Sequence, residues 1–321
     1  MSWSHRYDGV DATGAGGPPP GSRFGSIDRL GAPLTRGDVL TANVIDGAAV
    51  ANRILSDTAA HAAQFTETTG RKPCLATVLV GDDPASHTYV RMKANRCRTV
   101  GLDSRRHQLP ETATTADVVA LVSALADDDT VDGILVQHPM PPRVDERRVF
   151  EAITPAKDVD GVTGASFAAM AFGNDGFRSC TPGGIMCLLD AYGVDPAGQR
   201  AVVIGRSAIL GKPVGMLLLA RDATVTYCHS KTTDLASMVR EADIVVAAVG
   251  KPELIKGSWI KTGAVVIDAG YNPGNVGDVE YSSAAQRAGL ITPVPGGVGP
   301  TTIAVLLAQT VEAAESAHSV D

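Results

Sequence analysis

From position 41 onward, apolar residues recur in two rhythms. Runs such as "CLATVLVG", "VDGILVQ", "AVVIG", "DIVVAAVG" and "AVVIDAG" are short and rich in Val, Ile and Leu. Such runs predict strands buried on both faces of a sheet. "SRRHQL" and "TVTYC" read as two further strands, while "VIDGAAVANRILSDTAAHAAQF", "TADVVALVSALADD" and "TTDLASMVREA" read as helices. Strands alternating with helices imply βα units and a parallel sheet. The pattern predicts two α/β lobes joined around 161 to 180, with a last helix from about 300 to 316. Residues 1–40, which include "DATGAGGPPPGSRFG", carry no usable periodicity and are expected to form a disordered leader.

Composition narrows the function classes. A chain of 321 residues is long enough for two domains with sizeable cores. A net charge of -7 and only 4% aromatic residues argue against a nucleic-acid partner. No apolar run reaches membrane-spanning length, so no membrane partner is expected. The five cysteines are odd in number and form no C-x-x-C pair, which reads as reduced thiols in a cytoplasmic protein.

Chemistry concentrates first in "AVVIGRSAILGKPVG". Strand, tight turn and helix follow one another as a dinucleotide site requires, with glycines at Gly205 and Gly211, but Ser207 stands where a middle glycine is usual. The turn alone is equally an ordinary buried βα connection. A helix start with free N–H groups would seat phosphate. The following strand, "TVTYCHSKT", ends without the carboxylate that would bind ribose hydroxyls. An uncharged or basic strand end beside Arg206 suits a 2′-phosphate, which favours NADP if this is a site.

A second concentration lies in "DPASHTYVRMKANRCRTVG", read as a helix with Ser86 as N-cap and Gly101 past its end. Tyr89 and Lys93 are four apart and share a face. In open solvent this is a surface pair. In a cleft wall, Lys93 would lose hydration and titrate nearer neutrality, as a base must. Gln137 ends an apolar strand just before Pro139, where open α/β sheets place ligands, and "PAKDVDGV" sets Asp158 and Asp160 two apart in a loop. With no histidine or third acid nearby, no metal site is expected there.

Taken together and in order, "SHTYVRMK", "DGILVQHPMP", "KDVDG", "CTPGGI", "IGRSAILGKPVG", "TVTYCHSKT", "GAVVIDAGYN" and "TPVPGGVGPTTIAVLL" resemble the bifunctional methylenetetrahydrofolate dehydrogenase/methenyltetrahydrofolate cyclohydrolase family, over about residues 41 to 315. The resemblance implies an α/β fold with a folate/catalytic lobe over 41–160, completed by 296–316, and a Rossmann-type, doubly wound NADP-binding lobe over 161–295, with a cleft between. It implies NADP-dependent oxidation of 5,10-methylenetetrahydrofolate and hydrolysis of the methenyl product to 10-formyltetrahydrofolate, by a cytoplasmic homodimer. It gives Lys93 the catalytic role in hydrolysis, Tyr89 a place over the folate, Gln137 the support of the lysine, and Asp160 the pterin ring. Pro295, Gly296 and Gly297 match a loop closing over the site. Gly205, Arg206 and Ser207 match the cofactor turn, Ser230 a second contact to the 2′-phosphate, and Tyr271 a backbone contact to the nicotinamide end.

Three positions depart from the family's pattern: His138 stands where Leu is common, Tyr271 where Ile is, and Ser179 where Pro is. His138 reads as a packing variant, and Ser179 is expected to loosen the turn into "CTPGG". Two rivals stay open. Another NAD(P)-dependent dehydrogenase would explain two lobes but not Tyr89, Lys93, Gln137 and Asp160 as a set. A catalytically silent folate- or nucleotide-binding protein would keep the pockets without the chemistry.

Overall fold

The computed structural model describes residues 42–82 and 84–318, with 84–90 as backbone only. The leader assigned to residues 1–40 lies outside the described residues. In chain order the elements are β1 (Asn43–Val44), α1 (Gly47–Thr69), β2 (Cys74–Val80), α2 (Pro84–Thr99), β3 (Asp103–Leu109), α3 (Thr115–Ala126), β4 (Gly133–Val136), α4 (Glu146–Phe150), α5 (Gly164–Phe172), α6 (Cys180–Ala191), β5 (Arg200–Ile204), α7 (Gly211–Leu219), β6 (Thr224–Cys228), α8 (Leu235–Arg240), β7 (Ile244–Ala247), β8 (Val265–Asp268), α9 (Tyr281–Ala284), β9 (Leu290–Ile291) and α10 (Val298–His318).

The strands form two sheets, and every pairing is parallel. The smaller has the order β3-β2-β4, the larger the order β1-β9-β8-β7-β5-β6. Within the larger sheet the chain steps outward from β5 to β6, then returns to the other side of β5 to lay down β7, β8 and β9. The order therefore reverses between β5 and β7, and in such sheets ligands bind beyond the strand ends at that reversal.

Alternation explains why the central strands are apolar throughout. Ala201, Val203, Ile244, Val246 and Ile267 enter a core shared with α1, α6, α7 and α10. Their neighbours Val202, Ile204, Val245, Ala247 and Val266 enter a separate core on the opposite face. The small sheet is sandwiched in the same way: Leu75 and Leu135 join the first core, while Cys74, Ala76, Val78, Ile134 and Val136 pack with residues of α3 and α4. Helices α1, α6 and α10 thus supply one continuous core that serves both sheets.

Helix ends follow local chemistry. Asp46 caps α1 by accepting from the Ala49 N–H, and Gly70 closes it at φ 74°. Thr114 and Asp117 form a reciprocal capping box at the start of α3. Helix α2 begins at Pro84, so Ser86 lies inside it and is not the N-cap that the sequence suggests. Proline at a first helical position costs no hydrogen bond, because that N–H has no intrahelical partner anyway. Strand β1, within the stretch read as the first lobe, pairs with β9 of the larger sheet.

Candidate active site

The C-terminal edge of the large sheet gathers one group of the expected residues by topology alone. Ile204 pairs with Cys228 in parallel register, so Gly205–Arg206–Ser207 and His229–Ser230–Lys231 leave the sheet side by side. Tyr271 leaves the same edge beyond β8, and Pro295, Gly296 and Gly297 leave it beyond β9, in the loop that leads into α10.

The turn after β5 is built on glycine where glycine is required. Gly205 has φ 135°, and a Cβ there would lie 2.2 Å from the Ala248 carbonyl oxygen at the end of β7. A Cβ on Gly211 would lie 2.5 Å from the Gly205 oxygen. The middle position is Ser207, which uses its side chain: Oγ accepts from the Leu210 and Gly211 N–H groups, at 3.2 and 3.1 Å. The sequence suggests free N–H groups at this helix start, but the serine occupies two of them. Arg206 and Ser207 are exposed, as is Ser230 across the strand boundary. His229 shapes that strand end, its Nδ1 accepting from the Lys231 N–H at 3.2 Å. Tyr271 is 60% exposed and donates through its hydroxyl to Asn275.

A second group comes from the small sheet and its helices. Gln137 follows β4 directly, and its N–H donates to the Val78 carbonyl at 2.8 Å. Its side-chain Nε2 donates to the His138 carbonyl at 2.8 Å, which turns Oε1 toward the lysine. Lys93 Nζ, from α2, donates to that Oε1 at 3.1 Å. Lys93 is half-buried, and burial pushes its pKa below the ordinary lysine value, partly offset by the nearby Asp160 carboxylate. The amine thus has a fixed acceptor and an environment that favours its neutral form. The side chain of Tyr89 lies outside the described residues; its backbone is in α2.

The two aspartates of "KDVDG" divide their work. Asp158 is fully buried and accepts from the Val162 and Thr163 N–H groups and the Ser166 hydroxyl, at 3.0, 2.9 and 2.6 Å. It ties the loop to the start of α5 and is closed off from solvent. Asp160 is half-buried and acts on Lys93 through its charge. Among the described residues no group of three or more His, Cys, Asp and Glu side chains could hold a metal ion.

Two departures from the family's pattern resolve into packing. His138 sets its ring edge-on to Phe150, with centroids 6.2 Å apart. Ser179 does not loosen its turn as expected, because its buried hydroxyl donates to the Gly161 carbonyl at 2.7 Å. Near the end of the chain, Gly296 has φ 102°, and a Cβ on Gly297 would lie 2.6 Å from the Pro293 oxygen. Gly47 at the start of α1 in turn has no room for a Cβ against the Gly297 carbonyl. Sequence reasoning missed Gln309, a buried amide in α10 that bonds to Val159, the residue before Asp160, and to Arg178. A single glutamine in an apolar helix carries no signal by which to find it.

Residues 45–160 match the model of the tetrahydrofolate dehydrogenase/cyclohydrolase catalytic domain, and residues 179–318 match the NAD(P)-binding domain of the same enzymes. Bifunctional protein FolD 1 of Salinispora arenicola is 68% identical over 276 residues, which are 86% of this chain and 99% of that protein. The chain belongs to the tetrahydrofolate dehydrogenase/cyclohydrolase family. Among solved structures of the family, the bifunctional enzyme FolD of Campylobacter jejuni is similar with a TM-score of 0.84 and 41% identity, covering 86% of this chain and 99% of that one. The Trypanosoma brucei enzyme, solved with NADP cofactor and an inhibitor, is similar with a TM-score of 0.83 and 38% identity, covering 86% and 98%.

Proposed function

We propose that this chain oxidises 5,10-methylenetetrahydrofolate to 5,10-methenyltetrahydrofolate with NADP and hydrolyses that product to 10-formyltetrahydrofolate, within one-carbon metabolism. The observation that carries the reading is the hydrogen bond from Lys93 Nζ to Gln137 Oε1 at 3.1 Å, made by an amine that burial pushes toward its neutral form.

Asp160 orients the pterin, its carboxylate accepting from the ring's amino group and a ring N–H. Tyr89 lies over the folate, and the Pro295–Gly296–Gly297 loop closes over it. The neutral Lys93 amine takes a proton as water adds to the methenyl carbon, and Gln137 holds the amine in place while it does so. The bond from that carbon to N5 then breaks as the added hydroxyl gives up its proton and becomes the formyl carbonyl, N5 takes up a proton, and the formyl group stays on N10.

The turn fits NADP on this chain's own features. Gly205 lets the backbone pass close to β7, Arg206, Ser207 and Ser230 offer exposed donors, and β6 ends without a carboxylate. When bound, NADP accepts the hydride lost by the methylene carbon. Arg206, Ser207 and Ser230 hold the 2′-phosphate, Gly205 admits the pyrophosphate, and the Tyr271 backbone meets the nicotinamide end.

The folate lobe comprises 41–160 completed by 296–316, and the cofactor lobe 161–295. The enzyme works in the cytoplasm as a homodimer joined through the cofactor lobes. Supporting that face, Leu219 and Tyr227 are exposed on α7 and on the edge strand β6. Light scattering on the purified protein should return twice the monomer mass, and a monomer mass would remove the dimer.

The test of the activity is optical. Methylenetetrahydrofolate with NADP should yield NADPH and the methenyl absorbance, which should then decay. Absence of methenyl product would leave a different dehydrogenase or a silent binding protein.

A further inference from the structure

We propose that Gln309, buried in the middle of α10, is a positioning residue for Asp160, so that the last helix sets the geometry of folate binding. Gln309 is 4% exposed. Its Nε2 donates to the Val159 carbonyl at 2.7 Å and to the Arg178 carbonyl at 2.9 Å, while its Oε1 accepts from the Arg178 N–H at 3.1 Å. One carboxamide thereby joins the residue before Asp160 to the segment that leads into α6.

That joint is one of several on the same short stretch. The Val159 carbonyl also accepts from the Cys180 thiol at 3.2 Å, the Asp160 carbonyl from the Cys180 N–H at 3.3 Å, and the Gly161 carbonyl from the Ser179 hydroxyl at 2.7 Å. Three consecutive carbonyls are therefore held by Ser179, Cys180 and Gln309. The approach is close enough that a Cβ on Gly161 would lie 2.4 Å from the Arg178 carbonyl carbon. Behind Val159, a Cβ on Gly133 of β4 would lie 2.7 Å from its Cγ2, so the segment also sits flat against the small sheet.

Only a carboxamide satisfies this arrangement. It presents two N–H donors to two carbonyls and one oxygen to an N–H. A glutamate would set a carboxylate oxygen against two carbonyl oxygens. A methionine would fill similar volume but leave the Arg178 carbonyl and N–H without these partners and the Val159 carbonyl with the Cys180 thiol alone. With Gln309 changed, the Val159 carbonyl just before Asp160 and the Arg178 backbone both lose their tie to α10. Asp160 alone among these residues is assigned to substrate, so the loss falls on folate.

The inference rests on the folate reading of Asp160, and its test separates the two. Steady-state kinetics on Gln309→Met should show the KM for methylenetetrahydrofolate raised on the order of tenfold, as misplacement by a fraction of an ångström does. The kcat should stay within about threefold, and the KM for NADP within about twofold. In an Asp160→Asn background the same change should add little, because both act on one contact. An unmoved folate KM, an equal loss of folate and NADP, or full additivity with Asp160→Asn would each overturn the proposal. If Gln309→Met does not fold, the milder Gln309→Asn, one methylene too short to reach both chains, carries the test: a smaller rise in folate KM with NADP unmoved supports it, and no rise overturns it. A wild type that oxidises no methylenetetrahydrofolate would overturn the functional reading and this inference together, whereas active wild type with indifferent variants overturns this inference alone.

Discussion

The turn after β5 and the lysine site after β4 are built by different means. The turn is contiguous: Gly205 to Gly211 lie within one βα unit, and their geometry comes from backbone packed against backbone, with Gly205 against Ala248 and Gly211 against Gly205. The lysine site is assembled from separate elements: Lys93 from α2, Gln137 from the end of β4, and Asp160 from the loop before α5. A contiguous site is conspicuous in sequence but widely shared among nucleotide-binding folds. An assembled site is inconspicuous and far more specific, because its chemistry exists only when distant segments meet. The turn therefore points to a class of cofactor, and the lysine constellation is where the proposed hydrolysis is assigned.

The comparison can be broken by substitutions that should damage one region and spare the other. The largest effect is expected from Lys93→Met, which should lower hydrolysis by about 10²- to 10⁴-fold, the usual contribution of a positioned proton-transfer group, while hydride transfer persists. Stopped-flow decay of added methenyltetrahydrofolate measures it, and decay at the wild-type rate would remove the lysine from the chemistry.

Next in size is Gly205→Ala, whose methyl would fall 2.2 Å from the Ala248 oxygen on a backbone at φ 135°. Overpacking of this kind costs about 1–3 kcal/mol and moves the turn, so NADP affinity should fall by an order of magnitude or more. Calorimetric titration with NADP, with hydrolysis of added methenyl substrate as control, would show whether the lysine site is spared. Arg206→Ala comes third. Loss of a charge-assisted phosphate contact worth about 1.5–3 kcal/mol should cut the preference for NADP over NAD by about tenfold or more. An unchanged NADP-to-NAD ratio would take Arg206 out of the phosphate site.

The smallest effect is a shift in pH dependence. Burial lowers the pKa of Lys93, and the Asp160 carboxylate opposes that by favouring the ammonium form. Hydrolysis should therefore rise with pH as Lys93 deprotonates, with a midpoint below the ordinary lysine pKa of about 10.4. Asp160→Asn removes the opposing charge and should move the midpoint further down, despite weaker folate binding. A midpoint that moved up would contradict the assigned electrostatics.

Much of the fold is legible in the sequence because buried strands are apolar on both faces and the helices between them are long enough to show their period. What escapes is short or tertiary. Strands β1 and β9 have two residues each, too few for any periodicity. Ser86 has the residue type of an N-cap, yet the helix already starts at Pro84. The pairing of Lys93 with Gln137 bridges 44 positions. Its residue types are visible in sequence, while their contact depends on how α2 and β4 pack. The division of labour between Asp158 and Asp160 is likewise set by three hydrogen bonds that fold Asp158 into its own loop. Gln309 is invisible for the opposite reason, since its partners are main-chain groups, which sequence does not distinguish.

The proposed division of labour sets the Lys93 amine to hydrolysis and the turn after β5 to NADP. It is tested most directly by the ratio of hydrolysis to hydride transfer, measured under the same conditions in wild type, Lys93→Met and Arg206→Ala. The ratio should collapse in Lys93→Met and hold or rise in Arg206→Ala with NADP. A ratio that stayed at the wild-type value in Lys93→Met would contradict it.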